Sequence, residues 1–129
     1  MNQNQKELTK AELQIMQILW NIEKGFVNDI LNEIPEPKPA YNTVSTIVRI
    51  LEKKGFVSYI PYGKTHEYYP VVSKDQYTRE YVGGVVKNYF HNSFKQMLSF
   101  FAENNKISIH EIEEIRNLME EELRKKQNK

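Results

Sequence analysis

At 129 residues, the chain has room for one domain, or for a small domain with an accessory helical unit. It is 40% hydrophobic and 27% charged, which fits a folded protein, and the absence of cysteine excludes disulfides, thiolate metal sites and thiol catalysis. A net charge of +1 announces no partner; with no apolar run near ~20 residues and a polar MNQNQKELTK start, a cytoplasmic chain without membrane insertion is expected.

The segment LTKAEL, Leu8 to Leu13, marks a helix start. Thr9 can cap the backbone N–H of Glu12, Glu12 can reach back to Thr9, and Leu8 and Leu13 can close over the turn as a hydrophobic staple. Leu13, Met16, Leu19 and Trp20, flanked by Ile15, Ile18 and Ile22, give this helix a wide apolar face, with Trp20 assigned to the core. Gly25 breaks the chain before a short second helix, in which Val27, Ile30, Leu31 and Ile34 repeat the i, i+3, i+4, i+7 stripe. Pro35, Pro37 and Pro39 then forbid helix and stiffen a spacer, although such stretches also dock partner domains.

Tyr41 to Gly55, YNTVSTIVRILEKKG, follows the same helical period. Val44, Ile47, Val48 and Leu51 form the apolar stripe, and Asn42, Ser45, Thr46, Arg49 and Lys53 lie opposite. Such side chains can bond base edges and phosphate oxygens, and a helix fits a major groove. Gly55 ends the helix, with Lys53 and Lys54 at the negative end of its dipole. A polar outer face of this kind also fits a helix that is merely solvated. Charge separates the readings in part. Residues 1–36 hold Lys6, Lys10 and Lys24 against six acids, a net of −3; residues 37–70 hold Lys38, Arg49, Lys53, Lys54 and Lys64 against Glu52 and Glu67, a net of +3.

After Gly55 the period changes from helix to strand. Phe56–Ile60 and Thr65–Tyr69, rich in β-branched and aromatic residues, flank a Pro61-Tyr62-Gly63-Lys64 turn and make a hairpin with Lys64 near its tip. Three helices and a hairpin in about seventy residues describe a winged helix-turn-helix, in which the third helix enters the major groove and the hairpin reaches the adjacent backbone. Winged helices also serve as protein-interaction modules without DNA specificity.

Beyond Pro70 the sequence is helical. Ser73 with Gln76 and Ser108 with Glu111 read as capping boxes, the second stapled by Ile107 and Ile112. Tyr77, Tyr81, Val85 and Tyr89 recur at i+4 steps, interrupted by Gly83-Gly84 as a kink or a close-packing point. Phe90, Phe94, Met97, Leu98, Phe100 and Phe101 follow; Ile112, Ile115, Leu118, Met119 and Leu123 stripe a last helix, and the RKKQNK tail is expected to fray. So few helices cannot bury this much apolar surface on themselves. The fold class is therefore mainly α with a small β-hairpin wing: a winged-helix domain over 1–72 and a helical dimerisation domain over 73–129. Tyr81, Val85, Tyr89, Phe94, Leu98, Ile112, Ile115 and Met119 are the expected dimer interface.

Catalytic chemistry is not expected. His66, His91 and His110 are scattered, the His110–Glu114 pair at i, i+4 reads as a surface hydrogen bond, and no phosphate loop or activated nucleophile is apparent, so neither metal nor cofactor is assigned.

LTKAELQIMQILW, NTVSTIVRILEKKGFV, GKTHEYYP and SFKQMLSFFAENNKISIHEIEEIRNLM together closely resemble the penicillinase and methicillin-resistance repressors, the BlaI/MecI family, from about Leu8 to Glu122. The resemblance implies a dimeric winged-helix repressor of resistance genes, relieved when a membrane sensor with a protease domain leads to cleavage in the dimerisation region. It places Thr43 and Thr46 at DNA-contacting positions and Lys53 and Lys54 at phosphates; Asn42, Ser45 and Arg49 rest on the helical face alone, and Lys64 on the hairpin. Two departures stand out. Many members carry Arg where this chain has Ile50, with Arg49 one place earlier, which rotates the charge by ~100°. The family's Leu-Asn-Phe cleavage stretch corresponds to Leu98-Ser99-Phe100, so the bond between Ser99 and Phe100 is the candidate. The cysteine-rich tail of copper-responsive relatives is absent. Direct ligand binding among Tyr59, Tyr62, Tyr68, Tyr69, Tyr77 and Tyr81 is a further route to induction.

Overall fold

The computed structural model describes residues 7–128; Lys6, counted in the charge balance above, and Lys129 lie outside them. Helix α1 spans Lys10–Ile22 and begins as its sequence demands. Glu12 N–H donates to Thr9 Oγ1 at 3.1 Å and Thr9 N–H to Glu12 Oε1 at 2.9 Å, so two of the orphan donors of the first turn are satisfied reciprocally. Its inner face buries Ile15, Met16 and Leu19, with Leu8 and Leu13 packed against the same core. Helix α2, Val27–Asn32, follows a tight passage at Gly25. There the Gly25 N–H donates to the Tyr68 carbonyl at 2.9 Å and its carbonyl accepts from Tyr68 N–H at 2.8 Å. A Cβ at this position would come within 3.1 Å of Asp29 Cβ and 3.0 Å of Ile22 Cδ1, so glycine fits here without either side chain having to shift. The Asp29 carboxylate accepts from Phe26 N–H and closes the start of α2.

The Pro-rich connection is tied down by Lys38, whose ammonium donates to the carbonyls of Leu31, Asn32 and Ile34. It thereby joins the C-terminal carbonyls of α2 to the connection that follows them. Helix α3 runs Tyr41–Lys53 and ends as expected at Gly55, φ +86°. Strands β1, Val57–Tyr62, and β2, Thr65–Pro70, pair antiparallel in the register Ser58↔Tyr69, Ile60↔Glu67, Tyr62↔Thr65. The turn is tighter than the sequence implies. Only Gly63 and Lys64 lie between the strands, with Gly63 at φ +63°, and Pro61 and Tyr62 are strand residues. Proline is tolerated because a two-stranded ribbon leaves each strand one unpaired edge.

Val44, Val48 and Leu51 of α3 meet Ile15, Met16, Leu19, Ile30, Phe56, Val57 and Tyr68 in one core. Helix α4, Lys74–Tyr89, starts on the same core. Tyr77 packs against Phe56 and Trp20 at ring separations of 5.8 and 6.1 Å, its hydroxyl accepts from Leu8 N–H, and Trp20 Nε1 donates to the Val72 carbonyl. The first compact unit therefore reaches Tyr81 and the second begins at Val82, beyond the expected division after residue 72. Gly83-Gly84 do not interrupt α4, and a Cβ at either would meet nothing within 4 Å.

The second unit contains the end of α4, then α5, Phe94–Glu103, and α6, Ile109–Gln127. Ser93 and Ser108 cap α5 and α6 by accepting from Gln96 and Glu111 N–H. The tail does not fray where expected, since α6 continues through Arg124, Lys125 and Lys126 at the negative end of its dipole. Phe90 sits edge-on to Phe100 at 5.6 Å, and Val86 is fully buried, but α5 and α6 bury no residue. Among the described residues, no helix is long and apolar enough to cross a membrane.

Candidate nucleic-acid interface

Helix α3 has two faces with opposite duties. Val44, Val48 and Leu51 are fully buried, while Asn42, Thr43, Thr46, Arg49 and Lys53 are exposed and Ser45 is half-buried. The buried residues fix the helix's rotation, so the polar set must face solvent. The N-terminus of α3 has neither a side-chain cap nor an acid in its first turn, leaving backbone N–H groups and the positive dipole end open toward an anion. Lys64 stands exposed in the hairpin turn. The hairpin is stiffened by stacking of Tyr59 on His66, with centroids 4.0 Å apart and planes 7° from parallel, and Tyr62 lies 5.7 Å from the Phe26 ring.

Lys54 stands apart from the other basic residues. Expected at a phosphate, its ammonium instead lies 2.7 Å from Glu12 Oε1, with the Lys54 side chain 27% and the Glu12 side chain 7% exposed. Burial pushes the Glu12 carboxyl up, but the Lys54 ammonium and the Thr9 N–H and hydroxyl outweigh it, and its pKa falls below the ordinary 4.5. The pair ties α1 to the end of α3. Lys54 thus acts as a brace, and among the described residues Arg49 and Lys53 stand exposed on α3 without an ion-pair partner. Sequence reading missed the pair because its members are 42 residues apart. It also missed Lys38 as a cap, and it left Ile50 out of the polar face although its position, i+7 from Thr43, places it there.

The residues expected at a dimer interface fall as follows. Tyr81 belongs to the first unit, where its ring stacks on Tyr77 at 5.9 Å. Tyr89, Phe94, Leu98, Ile112 and Met119 are exposed, Tyr89 by 76%, and Val85 and Ile115 are half-buried. Val85, Tyr89, Phe90, Gln96, Ser99, Phe100 and Glu103 line an open groove of about 590 Å³. Ser99 and Phe100, the proposed scissile residues, are both exposed and lie within helical α5. His110 and Glu114 are 3.4 Å apart on an exposed face of α6, the surface contact that their spacing implied.

A family model described as "Penicillinase repressor" matches residues 8–121. The chain is similar to the methicillin resistance regulatory protein MecI of Staphylococcus aureus (strain N315), 28% identical over 114 residues that cover 88% of this chain and 93% of that protein. It is 23% identical to the penicillinase repressor of Bacillus licheniformis over 121 residues, 93% of this chain and 94% of the relative. Among solved structures it is similar to the solution structure of the DNA binding domain of the repressor BlaI, with 22% identity, 55% of this chain and 88% of the other covered, and a TM-score of 0.49.

Proposed function

Since the chain belongs to the penicillinase repressor family, we propose that it is a cytoplasmic transcriptional repressor that binds a palindromic double-stranded operator as a homodimer. In this reading α3 lies in the major groove. Thr43 and Thr46 reach base edges, Asn42 and Ser45 bond the bases and sugar-phosphate nearest the helix start, and Arg49, Lys53 and Lys64 neutralise phosphates. The observation that carries the reading is the division of α3: three fully buried residues orient a face on which Asn42, Thr43, Thr46, Arg49 and Lys53 stand free. Glu12, pairing with Lys54, keeps the end of that helix in register with α1.

The second unit supplies the partner surface. Tyr89, Phe94, Leu98, Ile112, Leu118, Met119 and Leu123 are large apolar side chains left exposed on three successive helices, and pairing of two copies would cover them. Relief of repression follows cleavage between Ser99 and Phe100 by a membrane sensor-protease system. A protease needs extended backbone, and α5, ten residues without a buried side chain, opens at small cost.

The test is titration of the protein with the duplex upstream of its own gene. Arg49→Ala combined with Lys53→Ala is expected to weaken binding at least tenfold and to flatten the salt dependence by about one unit of slope for each phosphate no longer neutralised, with the fold unchanged. Affinity equal to the wild type would remove α3 from the interface.

A further inference from the structure

On the face of α3 that points away from the core, one residue cannot serve a phosphate or form a hydrogen bond. Ile50 is 40% exposed, between exposed Arg49 and fully buried Leu51. It lies i+4 from Thr46 and i+7 from Thr43, so the three side chains form one line along the helix, each ending in at least one methyl group. Exposed Arg49 and Lys53 stand beside that line. We infer that Ile50 is a specificity-determining residue that packs on the C5-methyl group of a thymine in the operator's major groove, an inference that rests on the repressor reading above.

Among the major-groove edges of the four bases, only thymine presents an apolar group; the others offer donors and acceptors that isoleucine cannot satisfy. A cytosine or guanine under Ile50 leaves a base-edge polar group dehydrated and unpaired, whereas a thymine methyl and the Ile50 side chain remove each other from water. Neighbouring Arg49 and Lys53 hold the backbone on either side and contribute affinity without regard to sequence. Burial of one methyl group changes affinity about fourfold.

The experiment uses the full chain and a duplex recovered by selection from random DNA. Each thymine of one half-site is replaced in turn by deoxyuridine, which deletes only the methyl, and affinities are measured for the wild type and for Ile50→Ala. One position is expected to weaken the wild type about fourfold on loss of the methyl. At that position Ile50→Ala is expected to bind the two duplexes equally, with an unchanged salt slope because no charge has been removed. Specific binding with no methyl-sensitive position, or with sensitivity undiminished in Ile50→Ala, would overturn this inference and leave the repressor intact. Failure to recover any preferred sequence would overturn the repressor reading itself.

Discussion

Glu12 is a carboxylate with almost no access to water, and it stays charged because three groups from two helix-capping residues stabilise it. Protonation would take away what the Lys54 ammonium, the Thr9 N–H and the Thr9 hydroxyl stabilise. Its folded-state pKa lies below the unfolded one, so the pair's contribution is complete above the ordinary carboxylate pKa of 4.5 and disappears as pH falls through the lowered value. Glu12→Gln is expected to lower stability at pH 7 by about 2 kcal/mol in urea unfolding. It is also expected to lose less stability than the wild type between pH 5 and pH 2, and an equal acid loss would contradict the assignment. Thr9→Ala removes one cap and costs about 1 kcal/mol. Of these residues, the cap was legible because Thr9 and Glu12 are three positions apart. Lys54 was not, because a Lys-Lys-Gly helix ending reads alike whether its second lysine meets a phosphate or a carboxylate from a distant segment.

Helix α3 was legible as an element because its period is uniform: three residues at 0% exposure fall where the stripe places them. The two faces separate stability from binding. Leu51→Ala is expected to cost about 3 kcal/mol of stability through the cavity it leaves, whereas Thr46→Ala changes stability by less than about 0.5 kcal/mol and lowers operator affinity. Chemical unfolding and DNA titration on the same two variants check both. The hairpin was legible in type but not in extent. Pro61 reads as a turn residue, and only the register opposite His66 shows that it occupies a free edge. Gly83-Gly84 likewise read as a kink or a close-packing point, yet α4 passes through them, since glycine weakens a helix without ending it. Gly84→Ala, placed in open space at a helical position, is expected to stabilise α4 by about 1 kcal/mol, seen as a rise in Tm.

At the scale of the molecule, the first unit has a closed core and the second does not. The first compact unit runs on to Tyr81 because Tyr77, although it opens a new helix, packs against Trp20 and Phe56, a contact that no local pattern encodes. In the second unit Val86 is fully buried while Ile109 is 79% exposed, an imbalance that a partner copy would resolve. Sedimentation equilibrium is expected to give a dimer at micromolar concentration, with a Tm that rises with protein concentration. Ile112→Glu with Met119→Glu is expected to shift the protein to monomer while the first unit stays folded. In the proposed repressor, two copies present two α3 helices to one symmetric site. A footprint of the purified protein on DNA upstream of its own gene, at low salt and at about 0.3 M salt, tests it most directly. The expected result is two protected half-sites related by a dyad and one or two helical turns apart, ~34 Å per turn, fading at the higher salt. Uniform weak protection at both salt concentrations, with no preferred sequence emerging from random DNA, would contradict the account.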